Sequence, residues 1–239
     1  MLGIEINLGE ATLITKETPR YGIDIQVLGE ERKLSNFSFN GGIKFGYQHY
    51  FDKEALGVKQ AYGIGGSVCI GAGIPINNTI EYTQFNFQNW EQTFKYNSQF
   101  LPINFGLDIN FLWDFWESGE HTLGLSAGIG YTMNYYKSIK NDNNAQAVGV
   151  VNGQPAQGDV FSQPLKDMIS HNIYPQIGLH YYYGSHQFSL NFRLDFGGIE
   201  NAVKQDTSSS DGDLWNGIYN YDSAFISKDY LSLGYSYRF

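Results

Sequence analysis

The chain of 239 residues has little of what ordinary soluble or secreted proteins contain. Its single cysteine, Cys69, excludes an intrachain disulfide framework. Charged residues make up 16% of the chain, whereas soluble domains carry roughly 25%. The formal net charge of -9 leaves no basic footprint for nucleic acid, so that class of partner is set aside. Mean hydropathy is -0.33, and no run approaches the ~18 apolar residues that a spanning helix needs.

Aromatic residues and glycine, by contrast, are abundant: the chain holds 18 Tyr, 17 Phe and 28 Gly. They concentrate in segments where large apolar residues alternate with small or polar ones. This alternation predicts β-strands with one apolar and one polar face, because successive side chains of a strand point to opposite sides. Eight such segments recur, at about 2–8, 37–51, 58–74, 101–115, 123–135, 173–183, 188–196 and 231–239.

The links between these segments alternate between short and long. Residues 52–56, 117–120 and 184–186 form short, turn-like links. The other four links are long loops, at roughly 9–35, 75–97, 139–170 and 199–227. Short periplasmic turns alternating with long extracellular loops are typical of outer-membrane barrels. The sequence therefore predicts an all-β protein: one domain, 1–239, forming an eight-stranded antiparallel transmembrane β-barrel with both termini periplasmic.

A soluble eight-stranded barrel such as a lipocalin is the alternative, and it would place the apolar rows inside. Two features disfavour it. The polar face is mostly Gly, Ser and Asn rather than the Lys and Glu of a solvated surface, and aromatic residues cluster at strand ends as an interfacial girdle does. The predicted girdle residues are Trp113, Phe115, Trp116, Tyr235, Tyr237 and Phe239.

Several strand segments resemble those of the Helicobacter outer-membrane protein families, which include porins and adhesins. They are residues 42–51, 101–108 and 174–179, and the ending Tyr235-x-Tyr237-x-Phe239 is similar to the C-terminal signal read by the barrel-assembly machinery. The resemblance implies the outer membrane of a Gram-negative bacterium, with membrane lipid, lipopolysaccharide and the assembly machinery as partners. We expect a mature form whose signal peptide has been replaced by Met1. The long extracellular domain of the family's large adhesins is missing from the pattern, so their receptor binding is not carried over.

Charged residues on the polar face of the strands would lie in the lumen, where an isolated charge is very costly. We therefore expect opposite charges to pair across the lumen as a plug, since an eight-stranded barrel is only wide enough for its own side chains. A narrow channel lined by the same charges is the alternative. The candidate lumen residues are Glu5, Lys44, Lys59, Asp108, Arg193, Asp195 and Arg238.

No catalytic or metal site is predicted, and no cofactor is expected. Asp167, Ser170 and His171 form the best candidate for a lipid A-modifying enzyme, but adjacent strand residues face opposite ways, so Ser170 and His171 would not meet. The five histidines are scattered without the spacing of a zinc site. An enzyme is therefore the third hypothesis for the function, after a surface protein and a narrow pore.

The second long link carries aromatic residues spaced among Asn and Gln, a composition found both at recognition surfaces and in a girdle extended above the membrane. As a recognition surface it would bind a host or matrix ligand. The sequence favours a monomeric, non-enzymatic surface protein that presents loops for adhesion or supports envelope integrity. The candidate interaction residues are Phe85, Phe87, Trp90, Phe94 and Tyr96.

Overall fold

The structure is a computed structural model built almost entirely from β-strands. No helix in the described part of the chain is long and apolar enough to cross a membrane. The described residues are 1–20, 31–56, 60–85, 91–142, 145–151, 154–160, 165–194, 199–201, 203–207, 218–227 and 230–239. Their elements are β1 (Leu2–Arg20), β2 (Glu31–Tyr50), α1 (Lys53–Leu56), β3 (Ala61–Gly73), β4 (Ile76–Phe85), β5 (Glu91–Ser118), β6 (His121–Asp142), β7 (Ala145–Val151), β8 (Gln154–Val160), β9 (Met168–Tyr183), β10 (His186–Arg193), β11 (Ile199–Asn201), β12 (Val203–Thr207), β13 (Ile218–Ser227) and β14 (Tyr230–Tyr237).

Eight of these strands close into a ring, in the order β1-β14-β10-β9-β6-β5-β3-β2, with β2 returning to β1. All pairs along the ring are antiparallel, and Leu2 shows the closure, because it pairs with Tyr237 on one side and Phe45 on the other. Because the ring is closed, none of its eight strands is a free edge strand. The predicted eight-stranded antiparallel barrel is confirmed.

The short links are confirmed, and they lie at the same end as both termini, which we call the turn end. Ser118 pairs with His121 and Tyr183 pairs with His186, so each of these hairpins has a two-residue loop. Gly119 and Gly184 take positive φ angles of 60° and 56° there, as tight two-residue hairpins require. The third short link contains the single helical turn α1.

The four long links connect the ring strands at the end opposite the short turns, as predicted, but most of their described residues form paired strands. β1 and β2 continue as a paired ribbon as far as Lys16 and Glu31, and β4 pairs with the extended β5. β7 pairs with β8, and β12 pairs with β13. Composition rich in Asn, Ser and Gly favours loops locally, but pairing across strands satisfies the backbone without any alternation in the sequence. We call this end the loop end.

The two faces of the barrel wall have opposite polarity from those of a soluble barrel. Large apolar side chains point outward: Ile43 is 53% exposed and Ile109 is 68% exposed. Charged side chains point inward: Glu5 is 1% exposed and Arg193 is 2% exposed. Such an outward apolar band around a polar interior is the arrangement of a transmembrane β-barrel.

The interior is not polar throughout, which the sequence did not predict. At the loop end, the inward positions of the extended strands carry apolar side chains that pack together as a buried cluster. The Phe225 ring stacks on Tyr136 with centroids 4.0 Å apart and meets Phe100 edge-on at 5.1 Å. We call this the apolar cap, and its members are Ala11, Leu13, Ile76, Phe100, Tyr136, Leu165, Met168 and Phe225.

Candidate functional site: the closed lumen

A layer of four charged side chains crosses the middle of the lumen. The Arg193 guanidinium lies 2.7 Å from Glu5 and 3.3 Å from Asp108. The Lys44 amine lies 2.8 Å from Glu5 and 3.9 Å from Asp108. Two cations thus face two carboxylates, so the layer is neutral overall. We call these four residues the charge layer.

Successive side chains of a strand point alternately inward and outward, and each member of the charge layer occupies an inward position. They are Glu5 on β1, Lys44 on β2, Asp108 on β5 and Arg193 on β10. Room for the charge layer comes from Gly130, where an added Cβ would lie 2.3 Å from the Tyr174 ring and 2.4 Å from an Asp108 carboxylate oxygen. The Tyr174 hydroxyl donates to that same oxygen at 2.8 Å. The Tyr174 and Tyr230 rings lie on Arg193, with its Cζ 5.0 and 5.1 Å from their centroids.

Neutral side chains complete the hydrogen bonding of the charge layer. Arg193 donates through Nε to Gln176 at 3.1 Å and through a terminal nitrogen to Asn7 at 3.2 Å. Gln176 in turn donates to Asn110 at 2.8 Å. A buried ion pair is stable only when its remaining donors and acceptors find partners. The charge layer meets that condition.

A second polar layer lies in the lumen toward the turn end. His180 Nε2 lies 2.6 Å from an Asp114 oxygen, which also accepts a bond from the Tyr50 hydroxyl at 3.2 Å. The hydroxyls of Tyr50 and Tyr182 are 2.9 Å apart, and Tyr182 donates to Gln48 at 3.2 Å. His180 is therefore a hydrogen-bonded lumen residue.

Two small polar cavities lie between these layers. One of about 40 Å³ lies toward the turn end, against Gln48, Asn110 and His180. Another of about 20 Å³ lies toward the loop end, against Asn7 and Asn104. Polar cavities of this size hold one or a few waters rather than a continuous column.

The sequence-predicted lumen residues divide into three groups. Glu5, Lys44, Asp108 and Arg193 come together as the charge layer. Lys59 and Asp195 lie outside the described residues. Arg238 does not meet the acids of the lumen.

The prediction that Arg238 pairs across the lumen is wrong. It follows the last residue of β14, so it sits at the rim of the turn end. Its Cζ lies 4.1 Å from the centroid of the Tyr182 ring, and its guanidinium donates to the Gly184 carbonyl at 3.0 Å. The prediction that its side chain points inward was correct, but the residue lies nearer the turn end than the charge layer does.

The predicted girdle residues lie at the turn end, mostly on the outer surface. Phe239 is 92% exposed, and Trp116, Phe115 and Tyr237 are also exposed. Trp113 is half-buried and packs edge-on against Phe115, with centroids 5.7 Å apart. Its indole nitrogen has no hydrogen-bond partner among the described residues.

Histidines also belong to this girdle, which sequence reasoning missed. His186 Nδ1 lies 2.8 Å from the Tyr235 hydroxyl, and His121 Nδ1 lies 2.5 Å from that of Tyr181. His121 and His186 both pair with Tyr183 in the sheet. Their placement directly after a short turn, with aromatic residues on the neighbouring strands, was the signal available in the sequence.

Asp167, Ser170 and His171 do not form a catalytic triad. Ser170 points inward and is 1% exposed, whereas His171 Nδ1 bonds the Tyr131 hydroxyl at 2.6 Å on the outer surface. Asp167 accepts hydrogen bonds from the Tyr135 hydroxyl and from the Ser138 amide, the latter at 2.8 Å. These bonds hold the pKa of Asp167 below its usual value. Among the described residues, no group of three or more His, Cys, Asp or Glu is placed to hold a metal ion.

The candidate interaction residues of the second long link are only partly described. Phe87 and Trp90 lie outside the described residues. Phe85 ends β4, and Phe94 and Tyr96 lie in β5, paired with Tyr82 and Ile80. Their backbones thus form a ribbon rather than a loop.

No protein-family model matches the chain, and no curated protein is significantly similar to it in sequence. Among solved structures, the chain matches Neisserial surface protein A at 12% identity, over 98% of this chain and 97% of that one, with a TM-score of 0.28. It matches Ail, the attachment invasion locus protein of Yersinia pestis, at 11% identity over 97% and 99%, with a TM-score of 0.22. It matches a Pseudomonas aeruginosa FadL homologue at 9% identity over 100% and 90%, with a TM-score of 0.24. At these identities and TM-scores the likenesses assign no function.

Proposed function

We propose that the protein is a non-conducting barrel of the Gram-negative outer membrane that anchors β-ribbons at the cell surface. The observation that carries this proposal is the charge layer, in which Arg193 and Lys44 neutralise Glu5 and Asp108 across the middle of the lumen. The short turns and both termini would face the periplasm, and the loop end would face outward.

Opening a pore would break this layer. Removing one partner of a buried ion pair costs about 3–5 kcal/mol, because the remaining charge stays buried without compensation. The Tyr50–Asp114–His180 layer and the apolar cap close the lumen on either side. These three successive layers of packed side chains favour a closed barrel over the narrow channel.

The loop end extends far beyond the membrane. β5 has 28 residues, or roughly 90 Å of strand at ~3.3 Å per residue. Tilted by about 40°, it spans roughly 70 Å along the barrel axis, against an apolar band about 25 Å tall. The ribbons of β1–β2, β4–β5 and β5–β6 therefore reach outside, where they serve adhesion to a host or matrix ligand or support the envelope.

Membrane lipid would contact the outward apolar residues, and the barrel-assembly machinery would read the C-terminal β14 with the exposed Phe239. The resemblance of the strand segments to the Helicobacter outer-membrane families supports the same compartment. The protein would act as a monomer without enzymatic activity. Unchanged lipid A in mass spectra after expression is the expected result for that role.

Conductance tests the proposal directly. The full chain, refolded in detergent and inserted into a planar bilayer, is expected to give no stepwise current, while a general porin in the same bilayer serves as the positive control. Resistance of the folded barrel to unfolding in cold SDS verifies that inserted protein is native. Reproducible unitary steps from such protein would overturn the closed barrel and favour the narrow pore.

A further inference from the structure

Three aromatic side chains lie side by side on the outer surface of the barrel at the turn end. His121 on β6 and His186 on β10 both pair with Tyr183 on β9, which lies between them and is 48% exposed. Neighbouring strands are about 4.8 Å apart, so the three residues cover roughly 10 Å of the circumference of the barrel. We call them the His–Tyr–His row, and none of them takes part in closing the lumen.

Each imidazole of the row is held in place by a tyrosine of a neighbouring strand. His121 Nδ1 lies 2.5 Å from the Tyr181 hydroxyl, and His186 Nδ1 lies 2.8 Å from the Tyr235 hydroxyl. In both pairs the ring centroids are 5.9 Å apart, and the planes are nearly parallel, at 26° and 28°. The hydrogen bond and the stacking together fix the orientation of each imidazole.

The second ring nitrogen of each histidine is uncommitted. Nε2 of His121 and Nε2 of His186 have no hydrogen-bond partner among the described residues, and neither atom is buried. A tyrosine hydroxyl that donates to Nδ1 leaves the ring hydrogen on Nε2. The row therefore directs two N–H donors toward the surroundings of the barrel.

The same three strands place the row at the boundary of the membrane. Toward the middle of the barrel their outward positions become aliphatic, and Leu125, Leu179 and Leu190 are all exposed. Beyond the row the strands end, and the two-residue turns that follow contain Glu120 and Ser185. Aromatic side chains between an apolar band and a polar rim lie at the level of the lipid headgroups.

We propose that the His–Tyr–His row binds the phosphodiester groups of phospholipids in the inner leaflet of the outer membrane, with His121 and His186 donating through Nε2. This inference rests on the proposed location and orientation, which put the turn end in the phospholipid leaflet. Phosphate follows from the donors and their height, because a hydrogen bond to a charged acceptor is stronger than one to a neutral ester carbonyl. Since the imidazoles lie on strands roughly 10 Å apart, each binds the phosphate of its own lipid.

The test is an NMR titration of the full chain, refolded in maltoside micelles whose headgroups carry no phosphate, with short-chain phosphatidylglycerol. The backbone amide of Tyr183 reports binding in every variant, and ¹⁵N-labelled histidine shows whether Nε2 carries the hydrogen. Wild type should give saturable shifts at Tyr183 and at Nε2 of both histidines, while the signals of the buried His180 stay unchanged. An Nε2 without a hydrogen in both histidines would overturn their assignment as donors.

The His121→Phe/His186→Phe double variant keeps two aromatic rings in the girdle and removes both donors. A hydrogen bond to a charged group is worth about tenfold or more in affinity, so the double variant should bind phosphatidylglycerol about 5- to 30-fold more weakly. His49→Phe is the matched control, because His49 is an outward histidine of the same end, on β2 across the ring, and packs edge-on against Phe51. Equal affinity of wild type and the double variant would overturn the site, once resistance to cold SDS verifies that each variant is folded.

Two further probes identify the ligand. Inorganic phosphate should leave the Tyr183 amide unshifted at concentrations where phosphatidylglycerol saturates it, and a short-chain glycolipid without phosphate should bind wild type and the double variant equally. Saturation by inorganic phosphate would indicate a site for a free anion and overturn the lipid as its ligand. A glycolipid that discriminates between the two proteins as phosphatidylglycerol does would overturn the phosphate as the group bound. Either result leaves the closed barrel standing, because that proposal is decided by conductance.

Discussion

Arg193 and Glu5 lie 188 residues apart in the chain, and their side chains meet at 2.7 Å in the middle of the lumen. The contact joins β10 to β1 across the barrel, although these strands are separated by β14 in the ring. Because both groups are almost fully buried, the pair links the stability of the barrel to the closure of its lumen.

Arg193→Met should destabilise the folded barrel by about 3–5 kcal/mol, since Glu5 and Asp108 would stay buried with Lys44 as their only described cation. Urea unfolding in vesicles, followed by tryptophan fluorescence, measures the change. Arg238→Met is the matched control at the rim, where losing the contact with Tyr182 should cost about 1 kcal/mol or less. Equal losses in the two variants would contradict the assignment of Arg193 to the centre.

Gly130→Ala should destabilise the barrel by about 1–3 kcal/mol through overpacking. The added methyl would lie 2.3 Å from the Tyr174 ring and 2.4 Å from Asp108, so the bond between these two side chains must shift. Gly41→Ala is the control, because an added Cβ there meets nothing within 4 Å. The prediction fails if both variants unfold at the same urea concentration.

Acidification should release the contacts of Asp167. Its folded-state pKa is lowered, first by the Tyr135 hydroxyl and then by the Ser138 amide, so these contacts stabilise the fold above the unfolded pKa of about 3.9. That contribution is lost as the pH falls through the lower folded pKa. Carboxyl chemical shifts from NMR titration measure this pKa, which Tyr135→Phe should raise toward the ordinary value. An unchanged titration in that variant would show that the hydroxyl is not the main cause.

Phe225→Ala should weaken the apolar cap without opening the lumen. Loss of the stacking on Tyr136 and the contact with Phe100 should cost about 3–5 kcal/mol. Planar bilayers should still show no current, because the charge layer lies below the cap and remains intact. Stepwise conductance in this variant would mean that the cap, rather than the charge layer, closes the barrel.

The strands and their inward and outward faces were predictable from the sequence, whereas heights along the barrel were not. Arg193 and Arg238 both have inward parity, yet one lies at the centre and the other at the rim. Parity depends on a residue's own strand, but height depends on the register with neighbouring strands. The apolar cap could not be predicted for the same reason. Leu13, Phe100 and Phe225 lie in segments without clear alternation, and they come into contact only when the ribbons pair.

The amino-acid sequence by itself determined that the chain forms an eight-stranded barrel with an apolar outer surface, because period-two alternation is a local property of each strand. Only the tertiary structure decided that Glu5, Lys44, Asp108 and Arg193 neutralise one another across the lumen. Ring closure and register bring these distant strands to one height. Burial then makes pairing obligatory, because an uncompensated charge would destabilise the interior.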